Sequence, residues 1–176
     1  LFCLLYGCCV PRRFTLCRSW EASDGYKGQL VACYLGSNQL LDVTEAAVRV
    51  TNHNDEAVAW ARCAARLLDH LFRGDSLQDA LASAETEAPD QASLSRARSG
   101  SALAAIQAGD SFGRTCYLHE AMPVIFHIMS QATRYTAPVR SNIQFGGDSC
   151  GRALIIGPAL AETPGVARRR STASAR

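Results

Sequence analysis

Apolar side chains recur at intervals of three and four residues through the centre of this chain, and this spacing most constrains its fold. One such stripe would lie on a single helix face and comprises Ala57, Trp60, Ala64, Leu67, Leu68 and Leu71. Its alanines predict close helix–helix contacts, because small side chains let helix axes approach. No segment alternates apolar and polar residues for long enough to predict a strand. The sequence therefore predicts an all-α fold.

Further helices are predicted from the same spacing and from capping residues. Residues 38–51 are expected to form a helix with Ser37 as its N-cap, and Asp75-Ser76 should cap another through about Ala84. The polar residues 85–100 are expected to form a loop with a short turn at most. The other predicted helices are 102–108, 118–133 with Pro123 at a kink or in the first turn, 137–145, and a last one from Ser149 that Gly157-Pro158 should end or bend.

The charge balance argues against a nucleic-acid surface. The chain has 18 basic and 16 acidic residues, but four of the arginines lie within residues 168–176. Without those four arginines the chain has 14 basic and 16 acidic residues, so its excess of positive charge comes from the end of the sequence. No apolar run is long enough to span a membrane. Neither nucleic acid nor a membrane is therefore expected as a partner.

Length and composition fit one domain with flanking segments. At 176 residues and 48% hydrophobic content, the chain can bury a core. Leu1 stands where a start methionine would be expected, which suggests a fragment. Residues 1–10 are apolar and are followed by Arg12-Arg13, which is the reverse of the order in a secretory signal. We expect a doubtful segment over residues 1–28, a partial helical domain over 29–162 and a disordered basic tail over 163–176.

The eight cysteines favour free thiols in a reducing compartment. Half of them lie in the first 17 residues, and none forms a Cys-x-x-Cys pair. Neither zinc-ligand spacing nor the regular spacing of a disulfide-linked secreted domain is present. We therefore expect a cytoplasmic protein.

The segment from Gly146 to Arg152, with the sequence Gly-Gly-Asp-Ser-Cys-Gly-Arg, combines two glycines, an acidic residue and the start of an apolar helical run. Glycines give a flexible approach to a helix start, and a carboxylate held there can bind a hard cation. Asp148 is therefore a candidate metal ligand.

Other motifs have simpler structural explanations. Ser76 lies in a Gly-Asp-Ser-Leu sequence typical of a lipase and esterase group, but it follows a helix and fits an N-cap. Gly147-Asp148-Ser149 is similar to a serine-protease sequence whose two-barrel context is missing. The glycine-flanked Asp110 within residues 109–113 is similar to a metal-binding aspartate, but a loop linking two helices explains the sequence equally well. His119 and His127 could share a helix face, but no third ligand is evident.

The order of these features resembles the C-terminal half of the ADP-ribosylglycohydrolase family. The residues 50–54 resemble the family's Thr-His turn before an alanine-rich helix. The helix over residues 57–74, the proline-containing helix over 117–129 and the Gly-Gly-Asp sequence at 146–148 follow in the family's order. The resemblance covers about residues 30–160. Gly-Gly-Asp-Ser-Cys, with the basic Arg152 following Gly151, is most similar to the branch with J-crystallins and selenoprotein J. In that selenoprotein, selenocysteine occupies the position of Cys150.

The resemblance implies an orthogonal helical bundle whose N-terminal half is missing here, and a site for two magnesium ions. Enzymes of the family cleave bonds between ADP-ribose and its acceptor. Their metals lie between an N-terminal aspartate cluster, which this chain lacks, and a Gly-Gly-Asp-x-Asp-Thr/Ser segment. Asp148 matches the first carboxylate of that segment, whereas Cys150 and Gly151 replace the next carboxylate and the hydroxyl residue. Since magnesium prefers oxygen ligands, the chain is expected to be inactive alone.

The sequence is compatible with three functions. The chain could be part of a family hydrolase that binds an ADP-ribose-type ligand, a non-catalytic structural protein of the crystallin kind, or a thiol-dependent protein. For the last, we hypothesise that a helix start, aided by Arg152 and opposed by Asp148, makes Cys150 more reactive than the other thiols. The alternative is an inert cysteine at a helix start. Because half of the family's fold is missing, exposed helical faces should favour self-association.

Overall fold

The computed structural model describes residues 30–99 and 110–163. Seven helices lie wholly within these ranges, and the described residues contain no strand. Their bounds are α1 Leu40–Arg49, α2 Asp55–Phe72, α3 Leu77–Glu85, α4 Gln91–Ser99, α5 Leu118–Ser130, α6 Thr136–Phe145 and α7 Ser149–Glu162. The all-α prediction is thus confirmed. The predicted helix 102–108, the segment 1–28 and most of the tail lie outside the described residues.

Helix α2 lies at the centre and packs against α1, α3, α5 and α7. It begins where the Asn54 side chain accepts a hydrogen bond from the Glu56 backbone N–H at 2.9 Å, and it ends before Gly74, which has a φ of +91°. Trp60, inside the helix, is completely buried, and most of the predicted stripe is buried with it. The alanine-rich face therefore forms the middle of the core.

The polar stretch predicted as a loop contains helix α4, so that prediction is wrong. Asp90 accepts a hydrogen bond from the Ser93 backbone N–H at 3.0 Å, which caps the helix. Ser93, Leu94 and Ala97 are buried, and α4 packs against α5. One large side chain and two small ones are enough to pack α4 because α5 supplies the other large apolar side chains of this contact.

Three predicted helix details also differ from the structure. Gln39, not Ser37, is the N-cap of α1, while the Ser37 hydroxyl accepts a hydrogen bond from the Gln39 backbone N–H at 3.1 Å. Pro123 lies inside α5, so the alternative that it marks the first turn is wrong, while the kink stays a prediction. Helix α7 continues through Pro158 to Glu162, because apolar residues on both sides of the proline are buried. The predicted end at Gly157-Pro158 is therefore wrong, while a bend there stays a prediction.

No described helix combines the length and apolar character needed to cross a membrane.

Candidate functional site

The Gly-Gly-Asp segment forms the turn between α6 and α7. Gly146 and Gly147 have φ values of +72° and +63°, which side chains with a Cβ rarely adopt. Asp148 is the N-cap of α7, and its Oδ1 accepts a hydrogen bond from the Gly151 backbone N–H at 3.0 Å. The two glycines therefore reverse the chain so that the aspartate carboxylate can close the first turn of the helix.

This turn lies directly against the loop that precedes α5. A Cβ added to Gly147 would overlap the carbonyl oxygen of Arg114. The Asp148 backbone N–H donates to the same oxygen at 3.4 Å. The glycine thus permits a close contact between two backbone segments that are far apart in sequence.

Glu120, in the first turn of α5, holds that loop. Its Oε2 accepts hydrogen bonds from the backbone N–H and the hydroxyl of Thr115 at 2.8 and 2.7 Å. These bonds, the backbone one foremost, lower the pKa of the Glu120 carboxyl below its usual value of 4.5. The Glu120 side chain also fills the space that a Cβ at Gly113 would need, and the Gly113 φ of +91° further favours glycine there.

The start of α2 reaches the same region. Glu56 Oε1 lies 3.7 Å from His119 Nδ1, and the Tyr117 and His119 rings stack with centroids 5.7 Å apart. The N-terminal ends of α2, α5 and α7 therefore gather around the loop formed by residues 113–117. Side-chain oxygens of Asn54 and Asp148 already accept hydrogen bonds from first-turn N–H groups of α2 and α7.

Arg152 is buried beneath the start of α7. Its Nε donates to Asn142 Oδ1 at 2.8 Å, and its Nη2 donates to the backbone oxygens of Asn142, at 3.4 Å, and Gly146, at 2.5 Å. Burial lowers the pKa of the guanidinium, while the charge of Asp148 acts in the opposite direction. Cys150, by contrast, is exposed. The Arg152 side chain thus ties α7 to α6, which is a different role from the predicted support of the Cys150 thiolate.

The structure gives most other candidates structural roles. The Ser76 hydroxyl accepts from the Asp79 backbone N–H at 3.2 Å and donates to its carboxylate at 2.6 Å, as an N-cap does. Asp110 pairs with Arg114 at 2.9 Å on the surface. His127 is buried with its Nδ1 3.2 Å from the Ala97 carbonyl oxygen, whereas His119 is exposed. The two histidines do not form a joint site.

Sequence reasoning missed the residues that hold the region together, above all Glu120 and Asn142. Asn142 is buried, accepts from Arg152 and donates to the Ser149 backbone oxygen at 2.8 Å. Nothing in the local spacing marks either residue. Within residues 30–99 and 110–163, no three His, Cys, Asp or Glu side chains come together in a way that could hold a metal ion.

The fold and this segment define an ADP-ribosylglycohydrolase-type helical protein. The chain belongs to the ADP-ribosylglycohydrolase family, whose model matches residues 28–166. It is 31% identical over 131 residues to crystallin J1A of Tripedalia cystophora, an alignment that covers 73% of this chain and 41% of that crystallin. No solved structure matches the chain. The predicted resemblance to the family and its J-crystallin members is confirmed.

Proposed function

We propose that this chain does not cleave ADP-ribosyl bonds by itself and that it serves as a structural, crystallin-like member of its family that lacks the family's hydrolase reaction. The main support for this proposal is that the Asp148 carboxylate caps α7 by accepting a hydrogen bond from the Gly151 backbone N–H. The similarity to a protein named as a crystallin supports the structural role. Because the chain spans 41% of the length of that relative, the activity of any longer protein is a separate proposal.

The residues of the Gly-Gly-Asp segment do not fit a pair of magnesium ions. Asp148 offers one carboxylate with one oxygen already bonded, Cys150 offers a thiol, and Gly151 offers no side chain. Magnesium requires near-octahedral oxygen coordination, for which a thiol is a poor substitute. Magnesium binding and the binding of an ADP-ribose-type ligand therefore depend on further carboxylates supplied from elsewhere.

Calorimetric titration of the 176-residue chain with magnesium chloride, and then with ADP-ribose, tests this proposal. We expect no saturable heat from either ligand and no release of ADP-ribose from ADP-ribosylated protein. The variant Cys150→Asp restores one oxygen ligand and should raise magnesium affinity at least slightly, while Cys116→Asp serves as the exposed control. Saturable magnesium binding together with ADP-ribose release by the wild-type chain would refute the proposal.

A thiol function of Cys150 is the second candidate, because this residue is exposed in the first turn of α7. Burial raises the pKa of the Cys63 thiol far above its usual value, so Cys63 should be inert. Cys116 is exposed in a loop and is the matched control. Alkylation at graded pH, followed by peptide mass spectrometry, should label Cys150 first. Equal labelling of Cys150 and Cys116 at neutral pH would exclude the candidate. The free thiols are also the basis for proposing a cytoplasmic location.

Self-association is proposed from the exposed apolar side chains. Val50, Ile143 and Tyr117 are 82%, 65% and 63% exposed, and large apolar side chains at the surface favour contacts with other chains. Sedimentation velocity at increasing concentration should show dimers or larger species that Val50→Ser and Ile143→Ser weaken. A single monomeric species at all concentrations would contradict this expectation.

A further inference from the structure

A serine, a histidine and an aspartate are hydrogen-bonded in series at the junction of α2 and α3. The Ser83 Oγ lies 2.7 Å from His70 Nε2, and His70 Nδ1 lies 2.6 Å from Asp75 Oδ2. Both distances are within the range of strong hydrogen bonds. The bonds use the two ring nitrogens separately, so Asp75 fixes the proton on Nδ1 and leaves Nε2 free to accept from the serine hydroxyl.

The fold explains why these three residues meet. Gly74 turns the chain at the end of α2, and the Asp75 backbone N–H donates to the His70 carbonyl oxygen at 3.1 Å. Helix α3 then packs along α2, which brings Ser83 in its last turn beside His70 in the last turn of α2. The Asp75 of the Gly-Asp-Ser-Leu sequence therefore takes part, whereas its neighbour Ser76 is occupied as a cap.

The series is accessible from solvent. The His70 and Asp75 side chains are 22% and 42% exposed, and Ser83 is half-buried. All three residues therefore lie partly at the surface.

We propose that Ser83 is a nucleophile for activated carboxylic esters, with His70 as its general base and Asp75 as a positioning residue. The Ser83 oxygen forms a bond to the ester carbonyl carbon while its proton passes to His70 Nε2. The bond to the leaving oxygen then breaks, and that oxygen takes the proton, which leaves an acyl-serine. Water hydrolyses the acyl-serine, with His70 accepting and returning a proton, and yields the carboxylic acid.

The position of Ser83 within α3 determines the substrate class. Backbone N–H groups late in an α-helix already bond to carbonyls of the preceding turn, so the helix around Ser83 offers no free pair of donors for an oxyanion. Acylation then depends on a good leaving group and on activation by the general base, which raises the reaction rate by about 100- to 10,000-fold. Aryl esters meet this requirement, whereas amides and alkyl esters do not.

Acetylation by p-nitrophenyl acetate, mapped by peptide mass spectrometry on the 176-residue chain, tests the proposal. Ser95, exposed on α4, is the internal control. We expect Ser83 to be acetylated about 100-fold faster than Ser95. The variant His70→Asn should reduce the Ser83 rate to that of Ser95. Equal rates at the two serines in the wild-type chain would overturn the proposal, and so would an undiminished Ser83 rate in a folded His70→Asn variant.

The role of Asp75 is tested by the tautomer of His70. Asp75→Asn should slow Ser83 acetylation and convert the His70 ring from the Nδ1–H form to a mixture, which nitrogen NMR of the imidazole detects. Asp75→Glu should restore both readouts in part. Far-UV circular dichroism shows whether His70→Asn folds. If it does not, the variants Asp75→Asn and Asp75→Glu test the proposal in its place. An unchanged tautomer and acetylation rate in Asp75→Asn would overturn the proposal.

Discussion

Replacing Gly147 by alanine tests whether the turn before α7 is fixed by its contact with the loop before α5. The glycine has a φ of +63°, and an added Cβ would overlap the Arg114 carbonyl oxygen. The substitution therefore imposes an unfavourable backbone conformation and also forces two backbone segments apart. The second effect should weaken the hydrogen bond from the Asp148 backbone N–H to Arg114, which is 3.4 Å long.

Gly74→Ala is the matched control. Gly74 also has a positive φ, +91°, but a Cβ there meets no atom within 4 Å. A left-handed conformation costs a residue with a Cβ about 1–2 kcal/mol, so Gly74→Ala should lower the free energy of unfolding by that amount. Gly147→Ala should lose about 1 kcal/mol more, since a hydrogen bond of this kind contributes about 0.5–1.5 kcal/mol.

Equilibrium urea denaturation followed by far-UV circular dichroism measures both variants. For a chain of this size the extra loss in Gly147→Ala corresponds to a further decrease in Tm of about 2–4 °C. If the unfolding free energy falls with urea concentration as steeply as in the wild type, the variants expose the same surface on unfolding. If the two variants lose the same stability, the contact with Arg114 does not constrain the turn and the reasoning fails.

Three further predictions concern stability. Arg152→Ala should lower the free energy of unfolding by about 2–4 kcal/mol in urea, because buried acceptors such as Asn142 Oδ1 lose their donor; no measurable loss would contradict this. Glu120 has a lowered pKa, so its bonds stabilise the fold above pH 4.5 and are lost as the pH falls through the folded-state value. Thermal melts should accordingly show Glu120→Gln less stable than wild type at pH 7 and nearly equal to it in acid. Ser76→Ala should lose about 1 kcal/mol through its cap, with Ser95→Ala near zero.

The helices with a strong apolar stripe could be predicted from the sequence, but those that depend on neighbours could not. The predicted helix over residues 57–74 corresponds closely to α2, because the apolar stripe marks it. Helix α4 has few apolar residues of its own and is stabilised by packing on α5, so its sequence has the composition of a loop. Pro158 similarly suggests an interruption, although burial on both sides keeps α7 continuous.

The candidate site was predictable only in the part that a motif marks. The sequence placed Asp148 and Cys150 two positions apart at a helix start, as the structure has them. It gave no sign that Arg152 is buried, because a charged residue among apolar ones is usually placed at the surface. The Ser83, His70 and Asp75 series depends on the packing of two helices, which spacing along the chain does not reveal.

The capping role of Asp148 affects how members of this family are recognised. Its carboxylate closes the first turn of α7 through Gly151, which requires no metal and no substrate. The need to cap α7 is therefore a reason to keep Gly-Gly-Asp in a chain of this fold, independent of any metal site. A descendant that carries the signature is assigned to the family through its architecture, and its catalytic ability must be judged from the residues that follow the aspartate.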